Sequence, residues 1–313
     1  MNASSTNPAR QPVTVVIAGA AGDLGRRITE HLVKRGASVR ALQRLDASEE
    51  DRERIQALGA TPVGVNTSDV GAVADASAGA DCVVSALSGL REVILDRQSV
   101  LLDAAVRAGT PRFISSDFCS DYTKTEPGHN RNFDLRREFM GRADRAPISV
   151  TSVMNGAFMD MLGAEMPIIQ PRIHRVLYWG SADQPLDFTT RDDTAAFTAA
   201  VALDRTTPRR LRVAGDTVSA RDVAHLMTEL SRQTYRPLWA GTVGVLAAAA
   251  RAAKTVAPQR TAVFPAWQGM QYTRDMFTGD ARLRPLDNDR YPDLRWTTLR
   301  DRFSTGHLPS SQS

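Results

Sequence analysis

Cysteine is nearly absent. The 313-residue chain has two, Cys82 and Cys119, too few for a disulfide framework. Neither has a CxxC partner or histidines nearby, so no zinc or other metal site is expected. Such sparse cysteine suits a reducing, cytoplasmic setting. Lysine is almost as rare: Lys34, Lys124 and Lys254 are the three, and arginine fills the rest of the 39 basic positions. That leaves few candidates for a catalytic lysine. The net charge is +4, but the basic groups are dispersed. There is no Lys/Arg run and no aromatic–basic ladder, so no nucleic-acid surface is expected. Residues 1–12 are small and polar and lack the apolar stretch of a secretory signal. The most apolar late segment, residues 238–257, is rich in alanine and carries Arg251 and Lys254. It predicts a buried or packing helix, not a membrane span.

What is present is a globular balance of 42% hydrophobic and 24% charged residues, in a length that fits one large domain or two unequal ones. No internal repeat is found. Residues 13–18 form a β-branched run suited to a strand buried on both faces of a parallel sheet. Leu24, Ile28 and Leu32 follow at helical spacing and Gly36 closes that helix. Strands are predicted at 38–43, 61–65, 81–87, 111–115 and 148–154. The helices between them include one opened by Ser48 with Asp51 three residues on, one at 93–108, and one of about a dozen residues from Asn132. This alternation predicts an α/β, Rossmann-type, doubly wound parallel sheet. After Asn155 the pattern becomes mixed α+β. Short strands at 176–179 and 186–189 flank a polar turn, an Ala-rich helix covers 192–203, and a strand covers 211–214. Ser219 with Asp222 caps a further helix. The expected organisation is a tail (1–12), a dinucleotide-binding domain (13–155), a smaller substrate region (156–306) from which some segments return to the first domain, and a disordered tail (307–313).

The segment Gly19-Ala20-Ala21-Gly22-Asp23-Leu24-Gly25 is GxxGxxG, running from the end of the first strand into the first helix. Glycines let the backbone turn tightly and approach a pyrophosphate, and the helix N-terminus offers free N–H groups to the anion. The flanking strand and helix supply the context that the motif needs; without a ligand it would be only a tight strand–helix turn. The end of the second strand selects the cofactor. An acidic residue there would bind the ribose 2′-hydroxyl of NAD and repel a 2′-phosphate. Arg44 stands there instead and can form paired hydrogen bonds to a phosphate, which favours NADPH over NADH. Asp46 competes for it, and a solvated strand-end charge is the alternative reading. Asp69 either reaches the adenine amino group or caps the helix behind it. Ala86, Leu87 and Ser88 end the fourth strand where the cofactor should pass.

With these features the chain resembles the NmrA-like and isoflavone-reductase-like group of atypical short-chain dehydrogenases. The resemblance rests on the GxxGxxG loop with a following arginine, on Arg112-Phe113-Ile114-Ser115-Ser116-Asp117-Phe118, similar to that group's RF-x-PSEFG segment, and on Asn155-Gly156-Ala157-Phe158, similar to its N-x-x-x-F turn. It implies a Rossmann domain with a small C-terminal substrate domain. NADPH would lie across the strand ends, touched by Ser115, Asn155 and Phe158. It also implies reduction of an aromatic, quinone-like, enone or carbonyl compound. The alternatives are a catalytically silent NADP(H)-binding regulator that acts through a protein partner, and an isomerase or epimerase that uses the nicotinamide transiently. A homodimer is compatible with any of these.

Tyr178, Trp179, Trp267 and Tyr272 are candidate pocket walls, with core packing as the alternative. The group's catalytic motifs are not matched. No tyrosine has a lysine four residues on, and Leu135 falls near the lysine of the isoflavone-reductase branch. Tyr122 is therefore the expected proton donor, with Lys124 lowering its pKa, Ser116 orienting the substrate and His129 in reserve. An exposed turn is the competing reading of Tyr122 and Lys124.

Overall fold

The computed structural model describes residues 12–163 and 165–305; the tails expected at 1–12 and 307–313 lie outside these, apart from Pro12. The first half alternates as the sequence predicts: β1 (Thr14–Ala18), α1 (Asp23–Lys34), β2 (Ser38–Gln43), α2 (Glu49–Ala57), β3 (Thr61–Gly64), α3 (Val70–Ala76) and β4 (Cys82–Ser85). A π-helical stretch, Glu92–Arg97, leads into α4 (Gln98–Arg107), followed by β5 (Arg112–Ser115), α5 (Arg131–Ala143) and β6 (Ser149–Met154). The second half contains β7 (Ala157–Phe158), β8 (Ile169–Gln170), β9 (Arg175–Tyr178), β10 (Leu186–Thr189), α6 (Arg191–Leu203), β11 (Arg210–Arg212) and β12 (Asp216–Val218). Then come α7 (Ala220–Ser231), β13 (Arg236–Trp239), α8 (Val243–Val256), α9 (Ala266–Thr278) and α10 (Leu299–Ser304).

The main sheet has the order β11-β6-β5-β4-β1-β2-β3, with every neighbouring pair parallel. Its strands are apolar on both faces because helices cover both. One cluster joins Val15, Ile17, Ile28 and Leu32 to Phe197 and Val201 of α6; the other joins Val16, Val83 and Phe113 to Leu102 of α4 and Phe139 of α5. The direction of winding reverses between β1 and β4. That is where an open parallel sheet forms a crevice beyond the carboxyl ends of its strands.

Two small sheets, β12-β10-β7 and β13-β9-β8, lie in the second half beside α7, α8 and α9. The strands predicted around a polar turn, β9 and β10, are thus not partners. β9 pairs with β8 and β13, and β10 with β7 and β12. The expectation of one apolar helix over 238–257 is also corrected. Leu238 and Trp239 finish β13, and α8 buries only Leu246 and Ala250, leaving Val245 and Val256 exposed. Small alanine side chains let α8 lie close against α9 along this narrow i, i+4 stripe. No helix among the described residues is long and apolar enough to cross a membrane.

Candidate functional site

The crevice at the β1–β4 switch opens into a cavity of about 460 Å³. Gly19, Ala20 and Ala21 form its floor at the mouth of α1, and Gln43 and Arg44 bring in the end of β2. Leu87, Leu101 and Arg97 face them from the β4–α4 side. The loop's glycines divide the work. Gly19 has φ +91°, and a Cβ there would meet the Ala86 carbonyl oxygen at 2.6 Å. At Gly25 a Cβ would lie 2.1 Å from the Gly19 oxygen, so α1 can rest directly on the loop only without one. At Gly22 a Cβ would meet nothing nearer than that oxygen at 3.3 Å. Gly22 is also the N-cap of α1 and offers no side chain to its first-turn N–H groups, which have no partners inside the helix. These N–H groups face a negatively charged ligand well.

Arg44 lines the cavity with its guanidinium 3.3 Å from Asp46. Both side chains are largely exposed, so this ion pair is weak and easily exchanged for a phosphate. Leu24 packs against the main core beneath the loop. Asp69 is used otherwise: its carboxylate accepts from Gly71 N at 2.7 Å and Ala72 N at 3.2 Å and caps α3. That capping role is the alternative left open for it. Ala86 supplies the carbonyl against which Gly19 packs, Leu87 lines the cavity, and Ser88 is exposed.

The loop after β5 departs most from expectation. Ser115 is fully buried, and its hydroxyl lies 2.5 Å from Asp117 Oδ2 and 3.1 Å from Ser152 Oγ. It braces strands and is not presented to a ligand. Ser116 donates to the Leu87 carbonyl at 2.5 Å, while its N–H donates to Gln98 Oε1, so it positions the end of β4. Tyr122 and Lys124 do not meet in the cleft. Tyr122 is fully buried against Phe133, with its hydroxyl lacking a hydrogen-bond partner among the described residues. Burial and then the Asp117 carboxylate push its pKa well above the ordinary value. Lys124 turns outward to Asp121 at 3.2 Å and to the carbonyls of Arg282 and Arg284. The one-turn helix Tyr122–Lys124 points the two side chains in different directions, and Tyr122 enters an inner side that also buries Asp117 and Asp121. His129 is exposed, 3.6 Å from Glu126.

Asn155 is buried at the end of β6, with its N–H on the Cys119 carbonyl and its own carbonyl receiving Thr189 Oγ1. Its side-chain oxygen has no partner among the described residues. Phe158 is half-buried, with the Arg191 guanidinium 5.4 Å from its ring centre. The four aromatic wall candidates do not form one wall. Trp267 is buried with Arg131 and Lys254 over its ring, and its Nε1 donates to the Pro258 carbonyl. Tyr272 sets its ring edge against Phe133 at 4.9 Å, where burial pushes its hydroxyl up to about 12. Tyr178 and Trp179 pack on a separate cluster around Met276 and Phe277. Among the described residues no group of three or more His, Cys, Asp and Glu side chains is placed to hold a metal ion.

Sequence reasoning missed the contacts that bolt the second half onto α5. Asn130, the N-cap of α5, donates to Asp275 at 2.8 Å and accepts from Gln268 at 2.8 Å. The Asn130 position before the amphipathic helix α5 was a readable cap signal; its partners on α9 were not readable.

Residues 11–237 match the NmrA-like family. Pinoresinol reductase 2 of Arabidopsis thaliana is 29% identical over 231 residues, 69% of this chain and 71% of its own length. The fold is that of the pinoresinol-lariciresinol and phenylcoumaran benzylic ether reductases (TM-score 0.78, 21% identity, 95% of this chain and 99% of that one). It is also that of leucoanthocyanidin reductase from Vitis vinifera, solved as a binary complex with NADPH (TM-score 0.75, 20% identity, 93% and 98%).

Proposed function

The chain belongs to the NmrA-like family, and from that premise we propose that it is an NADPH-dependent reductase of a small aromatic, quinone-like or enone compound. The observation that carries the reading is the cavity at the β1–β4 switch, where the glycine loop and Arg44 line one space. The residues fit the cofactor. Gly22 is exposed and carries no side chain that would obstruct a pyrophosphate, the first-turn N–H groups of α1 bind it, and Arg44 exchanges Asp46 for the 2′-phosphate. Ser116 holds the Leu87 carbonyl, which fixes the wall opposite. Residues 13–155 with α6 and β11 make the cofactor-binding part, and the small sheets with α7–α9 the substrate part. The cofactor, when bound, supplies a hydride to an electron-poor carbon. Matching reductions in the named relatives, a pinoresinol reductase and a leucoanthocyanidin reductase, support an aromatic substrate. The test is NADPH oxidation followed spectrophotometrically against a panel of quinones, aromatic enones and lignan-type ethers. Turnover of at least one class is expected.

The burial of Tyr122 and the outward turn of Lys124 favour one second reading: a protein that binds NADP(H) without turnover and signals to a protein partner. Tight NADPH binding with no oxidation across the panel would select it.

A further inference from the structure

Arg191 is the first residue of α6. A cation at that end opposes the helix dipole, so the helix gains nothing from it; Asp192 and Asp193, which follow, are the residue types that suit the position. The side chain instead leaves its own helix. Its Nε lies 3.6 Å from Asp23 Oδ2, at the first position of α1, and its guanidinium carbon lies 5.4 Å from the Phe158 ring centre. Its backbone N–H donates to Asp160 Oδ2 at 2.9 Å and anchors the base of the arm. Because α6 packs along α1, the arm lies over the mouth of the phosphate loop.

Asp23 is out of place for a helix end that receives a diphosphate, because its charge would repel the ligand. Three arginines answer it: Arg27 at 2.8 Å, Arg26 at 3.6 Å and Arg191. Burial opposes its ionisation, but the hydrogen bond from Arg27 and the charges of Arg27, Arg191 and Arg26 outweigh that and hold the carboxyl below its ordinary range. Arg26 and Arg27 stand on α1 itself, one turn further from the loop, and Arg26 also faces Glu30. Arg191 alone among the three comes from another element. Asp23, Phe158 and Arg191 do not line the cavity that contains Arg44, so the two arginines approach the loop separately.

We propose that Arg191 is a second cationic ligand of the dinucleotide, reaching the pyrophosphate from α6, with Asp23 as the tether that holds the guanidinium ready. This rests on the dinucleotide reading of the crevice. Arg44 then holds the 2′-phosphate on the adenosine side, and Arg191 joins the N–H groups of the loop at the bridge.

The experiment is isothermal titration of the intact protein and of Arg191→Gln and Arg191→Lys with three probes. NADPH and 2′-phospho-ADP-ribose contain the pyrophosphate bridge; 2′,5′-ADP lacks it. Arg191→Gln should weaken the first two by about tenfold or more, the scale of one lost charge-assisted hydrogen bond, and leave 2′,5′-ADP nearly unchanged. Arg191→Lys should recover part of the loss, and the melting temperature without ligand should stay near that of the unchanged protein. Equal losses for all three probes with a lowered melting temperature would make Arg191 a packing residue and overturn the proposal, as would undiminished NADPH affinity. If the unchanged protein bound none of the probes, the dinucleotide reading itself would fall, and the proposal with it.

Discussion

Arg212 Nε donates to the Asp121 carboxylate at 2.7 Å, and the Asp121 side chain is wholly buried. This pair ties the loop after β5 to β11, the strand that the second half contributes to the main sheet. Lys124 adds a second cation at 3.2 Å. Asp121→Asn should therefore destabilise the fold by about 1.5–3 kcal/mol, the range for a hydrogen bond to a charged group, measured by urea unfolding. Burial raises the Asp121 pKa, but its hydrogen bonds with Thr123 and Arg212 and the nearby charges lower it further, so the net shift is downward. A depressed carboxyl contributes stability that is full above its unfolded pKa of about 4 and is lost as pH falls through the folded value. The stability gap between the unchanged protein and the variant should narrow below about pH 4. A gap that stayed constant in acid would assign the effect to packing.

Tyr122→Phe tests the corrected placement of that tyrosine. Its hydroxyl is buried and, among the described residues, has no hydrogen-bond partner, so it is not presented to a substrate. Turnover should change far less than the 10²–10⁴-fold, roughly, that a lost proton donor costs, and stability by no more than about 1 kcal/mol. A loss of activity on the larger scale would mean that the loop opens during the reaction.

Gly22→Val and Gly25→Ala should separate binding from folding. Gly22 has φ −77° and ψ 161°, a conformation that valine adopts freely, and its Cβ would meet only the Gly19 oxygen, at 3.3 Å, a contact that a shift of a few tenths of an ångström relieves. NADPH affinity should fall at least about tenfold, ~1.4 kcal/mol, with little change in melting temperature. At Gly25 the added carbon would meet the Gly19 oxygen at 2.1 Å, so the protein should fail to fold stably. A well-folded Gly22→Val variant that kept full NADPH affinity would move the cofactor elsewhere.

The first half of the chain was readable because its signals are local. β-branched runs mark two-sided burial, and Ser48 caps α2 through Asp51 N just as its spacing suggests. The loop and Arg44 could be placed because strand order alone carries them to the switch point. What could not be read depends on direction or on distant partners. Tyr122 lies in the expected loop, but sequence position does not say that its ring turns inward onto Phe133. The Arg191–Asp23 contact joins residues far apart in the chain, and nothing near either one announces it. Trp267 was legible as a large aromatic, but not the two cations that cover it.

Parallel titrations with NADPH and NADH test directly whether the β1–β4 crevice binds NADPH through Arg44, as proposed. One charge-assisted contact to the 2′-phosphate contributes about 1.5–3 kcal/mol, so the unchanged protein should bind NADPH roughly 10–150-fold more tightly. Arg44→Asp should erase or reverse that preference. Equal affinities for the two cofactors in the unchanged protein, or an NADPH preference that survives Arg44→Asp, would contradict the claim.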